Sequence, residues 1–500
     1  MQPSRNTPAS STEPVRRQPP PPPEPTAWEL VRDQLIAILR ASPAWTISLA
    51  LHTFLLIALA VWIVRVPARQ KFLLELGFGS TQDPPGAPGS EEVAVELPGV
   101  EVPPTDLPAD PIEPTPPVPT AVVTPEPTPE HVAVVADAPA ARPVIRVALS
   151  GRDPGKREAL VGAHGGTSAT EAAVANALDW IARQQQKDGL WSLTGRYQDG
   201  GSQENRLAAT AMALLAFQGA GNTTKGGPYQ QVVSRGWKRL LDAQSPEGNF
   251  DVGQIPLQHE LYSHAQVTIA LCELFGMTRD PSLAEPASRA VAFALSAQGP
   301  NGGWRYEPGK DGDMSVTGWY MMALKSAEMA GMEVPEEAFS GVTDFLDTVA
   351  TQQGARYGYR RDNPARDASP VTAAVSAEGL LCRQYLGWQR DDPRLVAGLE
   401  LLMKEKPLDF DADKDVYAWY YITQVAHHTQ GPAWDRWNER LREVLPERQV
   451  VKGKEKGSWD PALDRWGSIG GRLFVTSLCT FMLEVYYRHL PLYGEVPQSQ

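Results

Sequence analysis

Residues 180–191 read Trp-Ile-Ala-Arg-Gln-Gln-Gln-Lys-Asp-Gly-Leu-Trp, and residues 293–304 follow the same pattern as Phe-Ala-Leu-Ser-Ala-Gln-Gly-Pro-Asn-Gly-Gly-Trp. In both, an apolar helical segment ends in glutamine, and a short polar turn leads to Gly-x-Trp. The aromatic residue of this pattern recurs about every 50 residues, a period typical of repeat architectures. The markers are Trp191, Phe250, Trp304, Tyr359, Phe410 and Trp459. We interpret each repeat as one helical hairpin.

The second helix of each hairpin is apolar on nearly all sides, as in Ala-Thr-Ala-Met-Ala-Leu-Leu-Ala-Phe over 209–217. Such helices belong in an interior, and the more polar first helices belong outside them. The predicted inner helices span 205–219, 261–276, 315–331, 370–387, 416–430 and 472–490. An open solenoid would leave this apolar surface exposed. We therefore predict an all-α fold over 160–493, a closed α/α toroid of about six hairpins, or twelve helices.

The glutamine and Gly-x-Trp spacing resembles the QW repeat of squalene–hopene cyclases and related terpenoid cyclases. The wider superfamily includes the β subunit of protein prenyltransferases. The first and third copies match well, the second and sixth match in part, and the copies around Tyr359 and Phe410 depart from the pattern. The resemblance covers roughly residues 165–490. It implies the toroid fold, in which the glutamine and the aromatic ring tie outer helices together, and it implies little about chemistry.

In such a ring the N-termini of the inner helices gather at one end of a central cavity, which we call the mouth. The mouth is the best pocket candidate in the sequence. Helix N-termini carry partial positive charge, so an anion is one expected occupant, assisted by Arg206 and Arg472. The residues predicted to line the cavity are Arg206, His264, Asp311, Thr317, Trp319, Asp415, Tyr417, Trp419 and Arg472. Aromatic core packing is the alternative for the tyrosines and tryptophans, and a plain polar role for His264.

The resemblance also implies a candidate catalytic acid. Cyclases of the squalene–hopene type begin reaction with an aspartate of an Asp-x-Asp-Asp motif, and the nearest match here is Asp311-Gly-Asp313-Met314. Met314 replaces a carboxylate that would support protonation of an alkene. Asp313 is therefore the catalytic candidate of an incomplete motif. The alternative is that Asp313 or Ser315 caps the following helix.

No metal or cofactor is predicted. The segment from Asp411 to Tyr420 is faintly similar to the region around the zinc ligands of prenyltransferase β subunits, which use Asp, Cys and His. No cysteine stands at the required position, and His427 and His428 fall at the far end of the same predicted helix. A zinc site is therefore not expected.

The N-terminal third has a different composition. Most of the 46 prolines precede residue 145, and the net charge of −13 arises largely there, since no Lys or Arg occurs between Lys71 and Arg142. We predict a disordered Pro-rich tail over 1–40, with a short helix near the membrane, and an extended acidic linker over 79–150. The acidity argues against nucleic acid as a partner.

Residues 45–66 form an apolar run long enough to cross a bilayer as one helix. Ser48 and His52 share one face of it. A Ser-x-x-x-His pair in an N-terminal span followed by a Pro-rich segment resembles the anchor of the TonB family, whose pair faces a proton-channel motor. A neutral histidine bonding Ser48 or water is the alternative reading. The short tail and long linker favour a cytoplasmic N-terminus and an extracytoplasmic toroid in the plasma (inner) membrane.

Three functions remain open from the sequence. The first is a non-catalytic module that binds an envelope ligand or scaffolds a partner protein, which the incomplete catalytic motif and the tethered layout favour. The alternative is a squalene cyclase-like or prenyltransferase-like enzyme, of the isomerase or lyase class, acting on a polyprenyl lipid through Asp313. The third is coupling of the anchor to a proton-driven motor through His52.

Overall fold

Helices dominate the part of the chain that the computed structural model describes, residues 148–253, 255–362 and 369–493. The predicted tail, the predicted span with Ser48 and His52, and the linker up to residue 147 lie outside these residues. The helices are α1 (Pro154–Ala163), α2 (Ser168–Arg183), α3 (Arg206–Gly219), α4 (Gln230–Leu241), α5 (Glu260–Thr278), α6 (Pro281–Ser296), α7 (Met314–Met329), α8 (Glu336–Val349), α9 (Ala373–Tyr385), α10 (Pro393–Glu405), α11 (Val416–Thr429), α12 (Gly431–Glu447), α13 (Gly467–Leu483) and α14 (Val485–Arg488).

None of the described helices is both long enough and apolar enough to cross a membrane.

The odd-numbered helices from α3 to α13 form a closed inner ring. Each of them contacts the next along the chain, α3 with α5, α5 with α7, and so on to α13, and α13 contacts α3. An open superhelix would lack this last contact. Four of the six predicted inner helices, α3, α5, α7 and α11, begin within one residue of the predicted position. The predicted toroid is confirmed at this level, and the solenoid alternative is wrong.

The even-numbered helices from α2 to α12 form the outer layer, and their sequences explain why. In α4 the buried side chains are Val233, Trp237 and Leu240, which recur at helical spacing, while Lys238 and Arg239 point away from them. Inner helix α3, in contrast, buries every residue from Leu207 to Gly219. A one-sided apolar stripe suits a helix that covers a core, and a helix apolar on all sides must lie inside it.

The glutamine of each complete repeat bonds its own turn and the next outer helix. The side-chain amide of Gln185 donates to the carbonyl of Gly189 at 2.9 Å and to the carbonyl of Val232, in α4, at 2.9 Å. Such bonds hold adjacent outer helices in register, because each glutamine satisfies two backbone acceptors at once. The third repeat has the same pair of bonds, from Gln298 to the carbonyls of Gly302 at 2.7 Å and Ala338 at 3.0 Å.

The last repeat uses the same device to close the ring. Gln449 follows α12 and donates to the carbonyl of Gly457 at 3.0 Å and to the carbonyl of Ala173, in the first outer helix α2, at 2.7 Å. Sequence reasoning missed Gln449, because it precedes its glycine by eight residues where Gln185 precedes its own by four. The bond from Gln449 to Ala173 joins the two ends of the repeat array.

The tryptophans of the pattern are held at both ends. The indole of Trp304 donates to the carbonyl of Ala294 at 2.7 Å, and the backbone amide of Trp304 donates to the hydroxyl of Thr317 at 3.0 Å. Thr317 is therefore an anchor between the turn and the inner helix, where the sequence predicted a cavity-lining residue. The first and last repeats pair their tryptophan amides with threonines in the same way, Trp191 with Thr210 and Trp459 with Thr476.

Two inner helices differ from the prediction. Residues 369–371 form strand β3 (Ser369–Val371), which pairs with β2 (Arg356–Arg360), and β2 pairs with β1 (Ala350–Thr351). Helix α9 therefore begins at Ala373, after Thr372 caps it, and the predicted start at residue 370 is wrong. Helix α13 is broken at Gly471, where φ is 71°, because the loop carrying Gly200 pairs with the backbone there.

Substitution of the closing glycine tests the importance of ring closure. Gly457 has φ of +98°, and a Cβ there would collide with the carbonyl of Asn176 in α2, whereas Gly453 has φ of +79° with open space around it. We expect Gly457→Ala to lower the free energy of unfolding by about 2 kcal/mol more than Gly453→Ala, because only the first adds overpacking to backbone strain. Urea denaturation measures both. Equal decreases in the free energy of unfolding for the two variants would mean that α2 can move to accommodate the added Cβ, and that the contact at Gly457 is not closely packed.

Candidate functional site

Aromatic side chains fill the axis of the ring. Trp319 from α7 and Tyr420 from α11 stack with ring centroids 6.1 Å apart, and Phe481 from α13 packs 5.8 Å from Tyr420. Trp319 is 2% exposed. Beside this stack lies a cavity of about 20 Å³, which is room for one water molecule. Its lining residues are Leu215, Ile269, Glu273, Trp319, Met322, Ser326, Met329, Tyr385, Tyr420, Arg488 and His489.

Asp313 is the centre of a hydrogen-bond network at the mouth. It is the N-cap of α7, where its Oδ1 accepts bonds from the backbone amide of Val316 at 3.0 Å and from the hydroxyl of Ser315 at 2.9 Å. Its Oδ2 accepts a bond from the hydroxyl of Tyr359 at 2.9 Å and lies 3.6 Å from Nε of Arg305. Asp313 is fully buried, so these groups surround it on every side.

Partly exposed tyrosines cover this network, and we call Tyr262, Tyr306, Tyr359 and Tyr417 the tyrosine rim. The hydroxyls of Tyr306 and Tyr359 are 2.6 Å apart, and the hydroxyl of Tyr262 bonds that of Ser315. The rings of Tyr262 and Tyr306 lie 6.2 Å apart. Each of the four rings is partly open to solvent. The hydroxyl of Tyr359 connects this partly exposed rim to the buried Asp313.

Glu378 is a second buried acid, on α9 and deeper in the ring. Its Oε1 accepts a bond from the hydroxyl of Tyr417 at 2.6 Å, and this hydroxyl in turn accepts a bond from the indole of Trp319 at 3.1 Å. The Oε2 atom is buried, and no hydrogen-bond partner for it occurs among the described residues. Gly318 on α7 faces this side chain, and a Cβ there would make ordinary van der Waals contact with it at 3.4 Å.

The environment favours the neutral forms of these groups. Burial raises the pKa of Asp313, although the bonds from Val316, Ser315 and Tyr359 act in the opposite direction. Burial raises the pKa of Glu378 well above its usual 4.5, the bonds from Tyr417 and Tyr421 notwithstanding, and the charge of Asp313 raises it further. Burial also raises the pKa of Tyr359. Burial therefore shifts Asp313, Glu378 and Tyr359 toward their protonated forms.

The helix N-termini at the mouth are already capped by their own side chains. Asp415, for example, accepts a bond from the backbone amide of Ala418 at 3.1 Å. The amides that would bind an anion are satisfied in this way in four inner helices, whose caps are Asn205, Asp313, Thr372 and Asp415. The mouth is therefore less suited to an anion than the sequence predicted.

Several predicted cavity residues lie elsewhere. Arg206 points outward and bonds Gln186 at 2.7 Å and Asp188 at 2.9 Å. His264 is fully buried between layers, with Nδ1 3.1 Å from the hydroxyl of Tyr320 and Nε2 3.3 Å from the carbonyl of Gly248. Desolvation lowers the pKa of His264 to about 3, so it is a neutral core residue.

The other predicted residues divide between core, surface and mouth. Trp419 is fully buried and packs 5.3 Å from Phe410, and Asp311 is exposed. Arg472 bonds the hydroxyl of Ser458 at 3.1 Å and the side chain of Asp199, so it holds the first turn to the last inner helix. Of the predicted set, Asp313, Trp319 and Tyr417 lie together around the axis and the mouth.

The rim tyrosines were missed from the sequence, although a signal was present. Tyr306 and Tyr359 lie 53 positions apart, as do Tyr262 and Ser315. This spacing is one repeat, so each pair joins equivalent positions of adjacent repeats. The place of Trp304 is taken in its repeat by the buried Tyr357, whose backbone amide bonds the hydroxyl of Ser376 at 3.2 Å, so the choice of Tyr359 as the aromatic marker is wrong. Hydroxyl residues one period apart near the inner-helix starts would have predicted the network.

Among the described residues, no group of three His, Cys, Asp or Glu side chains is arranged to hold a metal ion. His427 and His428 are buried at the end of α11. His427 Nε2 lies 2.8 Å from the carbonyl of His489.

Comparison with known proteins gives similarity to solved structures alone. No family model matches the chain, and no curated protein matches it. The chain is similar to the type II terpene cyclase MstE from Scytonema, at 16% identity over 64% of this chain and 98% of that chain, with a TM-score of 0.43. It is similar to an alpha-amylase from Clostridium perfringens, at 9% identity over 63% and 98%, with a TM-score of 0.46.

A third similar structure is an inactive variant of the alpha-1,6-mannanase GH76A of Salegentibacter sp., in complex with alpha-1,6-mannotriose. It is 12% identical over 64% of this chain and 99% of that chain, with a TM-score of 0.45. Similarities at this level establish neither a family nor an activity. The ring architecture follows from the helix contacts of this chain.

The raised pKa of Glu378 has a measurable effect on stability. A carboxyl protonated in the folded state must release its proton on unfolding above pH 4.5, so its contribution to stability falls as pH rises toward the folded pKa. Glu378→Gln removes this effect. We expect the variant to gain stability relative to the native protein as pH increases from about 5 to 7, by up to about 1.4 kcal/mol per pH unit.

Urea denaturation across this range measures the difference. Glu400→Gln is the matched control, because Glu400 is half-exposed and paired with Arg436 on the surface. We expect the Glu400 variant to follow the native protein at each pH. Parallel pH profiles for Glu378→Gln and the native protein would show that Glu378 is ionised in the fold.

Proposed function

We propose that this protein is a non-catalytic binding module of the cell envelope, in which a terpenoid-cyclase-like toroid presents a ligand site at its mouth. The proposal rests on the aromatic side chains that fill the axis of the ring. Trp319 and Tyr420 stack across it, and the cavity beside them holds about 20 Å³. A polyprenyl chain needs a pocket of several hundred Å³. Among the described residues, the cavity beside the axis is therefore too small for the substrate of a cyclisation.

The tyrosine rim is the proposed ligand site. Tyrosines offer rigid, amphipathic faces for stacking and hydroxyls for directed hydrogen bonds. Burial raises the pKa of Asp313 and of Glu378 below them, and a carboxyl shifted toward its neutral form is compatible with apolar ring faces and can exchange hydrogen bonds with hydroxyl groups. These features favour a hydroxylated ring compound, and a polysaccharide of the envelope is the proposed ligand class.

The proposed location follows from the N-terminal sequence. Residues 45–66 are proposed as a single span of the plasma (inner) membrane, with the N-terminus in the cytoplasm. The acidic Pro-rich linker over 79–150 would hold the toroid outside the membrane at a distance. Coupling of His52 to a proton-driven motor stays a proposal about the same anchor.

A squalene cyclase-like enzyme acting on a polyprenyl lipid is the second candidate. The observation that favours it is the environment of Asp313, a buried acid with a raised pKa that bonds Tyr359 and lies near Arg305. A general acid near neutral pH needs such an environment. Turnover would require Trp319 and Tyr420 to separate, because they occupy the space of the substrate.

A product assay distinguishes the two functions. We expect the full-length protein, incubated with squalene, to yield no cyclised product by gas chromatography and mass spectrometry, because the axis holds no chain of that size. The Asp313→Asn variant should give the same result. Cyclised product from the native protein that disappears with Asp313→Asn would establish the enzyme and reject the binding module.

A binding assay tests the rim directly. We expect oligosaccharides, with mannohexaose, cellohexaose and soluble peptidoglycan fragments as probes, to change the tryptophan fluorescence, since Trp319 bonds Tyr417 of the rim. Tyr306→Ala should weaken binding at least about tenfold, the loss of one stacking contact with its hydroxyl. Tyr229→Ala on the outer layer is the control. Equal affinity of the two variants for every probe that binds would place the ligand elsewhere.

A further inference from the structure

The residues that precede the repeats attach to the ring at the end opposite the mouth. A short 3-10 turn, Ala148–Arg152, contacts α1, α14 and α5, and α1 contacts α14. The backbone contact is close, because a Cβ on Gly151 would lie 2.5 Å from the carbonyl of Tyr487. Residues 148–163, which we call the latch, therefore lie outside the six hairpins and cover the end where the inner helices finish.

The latch inserts one charged side chain into the protein. The guanidinium of Arg152 is 1% exposed and makes a two-pronged ion pair with Glu273, at 2.8 Å through Nη1 and 2.9 Å through Nη2. It also donates to the carbonyl of Arg488 at 3.3 Å and lies 3.7 Å from the sulfur of Met277. Parallel bonds of this kind match the planar fork of a guanidinium and not the single point of an ammonium.

The acceptor is an ionised acid in the interior. Burial alone would raise the pKa of Glu273, but Arg152 and then Arg488 reverse this effect and lower it. Arg488 lies 3.2 Å from Glu273 and 2.9 Å from Glu484. Removing Arg152 would leave the Glu273 carboxylate with one cation in place of two, and a buried charge with fewer partners is costly.

The site continues into the axial cavity. Glu273 and Arg488 line that cavity together with Tyr385 and Tyr420. A carboxylate beside aromatic rings is a suitable environment for a flat cation. The space beside the Arg152 head group is therefore already shaped, and it does not depend on the latch for its walls.

We propose that the end of the ring opposite the mouth contains a guanidinium-binding site, occupied by Arg152 of the same chain, and that residues 148–163 are a latch that can leave it without unfolding the ring. The apolar attachment of the latch is small. Leu149 packs with Met329 and Met277 in a cluster separate from the main core, and α1 fully buries Val161 alone. The polar attachments are the buried ion pair of Arg152 with Glu273 and, nearer the surface, the ion pair of Arg157 with Glu171 in α2.

The position of the latch in the sequence suggests what could release it. The acidic Pro-rich segment enters the toroid at residue 148, so a pull along that segment reaches Arg152 before any repeat helix. Release would uncover Glu273 and the cavity lined by Trp319 and Tyr420. The latch therefore connects the segment before it to the ring axis.

Native-state hydrogen exchange on the unaltered full-length protein tests the detachment. We expect the amides of α1 to exchange through an opening that needs less denaturant than exchange of α7 and α11, because the latch leaves first. Exchange of α1 only together with those inner helices would overturn the proposal. This measurement needs no variant, so it stands even if substitutions at Arg152 impair folding.

A ligand assay tests the site. We expect Arg152→Ala to bind ethylguanidinium, seen as a rise in melting temperature, at least about tenfold more tightly than ethylammonium, which cannot form the paired bonds. The native protein should bind neither, since its site is full. Arg157→Ala is the matched control, because Arg157 lies in the same latch but pairs with Glu171 at 2.7 Å. The proposal would be overturned if both cations raised the melting temperature of Arg152→Ala equally. It would also be overturned if ethylguanidinium raised the melting temperature of Arg157→Ala as much as that of Arg152→Ala.

Discussion

The packing of inner helix α13 against α3 is the constraint on which the rest of the structure depends, because it closes the ring, and the hydrogen bond from Gln449 to the carbonyl of Ala173 joins the outer helices at the same place. Inner helices such as α3 bury every side of their surface and are stable only if each has two neighbours. An open array would leave one face of α3 and one of α13 in water, at a cost of about 25 cal/mol per Å². The contact of α13 with α3 removes both exposed faces, and the bonds from Gln449 to Ala173 and from Arg472 to Asp199 hold the two ends together.

Closure also determines what the centre of the ring can contain. Six inner helices enclose an axis whose width is filled by large side chains, and here Trp319, Tyr420 and Phe481 occupy it. These three aromatic side chains form the apolar core of the ring, and they therefore occupy the space that a substrate would need. Buried ionisable groups lie around this aromatic stack. At the mouth these are carboxyls whose pKa burial raises, with tyrosine hydroxyls around Asp313 and Glu378.

The fold was largely predictable because the spacing of apolar residues along a helix indicates which of its faces are buried. A helix that is apolar on all faces must lie inside the ring. The starts of α3, α5, α7 and α11 followed from that alone. The site was less predictable, because residue type near a helix start does not tell where a side chain points. Thr317 and His264 stand at suitable positions, yet one bonds Trp304 and the other packs against Tyr320. Strand β3 was missed because its three residues are all exposed and give no alternating apolar pattern.

The two ends of the ring stabilise their buried polar side chains differently, one with hydroxyl groups and the other with ion pairs. This difference indicates different roles for the two ends. At the mouth, hydroxyls surround acids that favour the neutral form, an arrangement that adapts to an incoming hydroxyl group at low cost. At the other end Arg152, Arg488 and Glu273 keep their charges and make bonds of fixed geometry. A buried ion pair adds little net stability over apolar packing, but it rejects any partner that lacks the complementary charge. The mouth is therefore suited to exchange of a ligand, and the opposite end to recognition of one specific segment, the latch of its own chain.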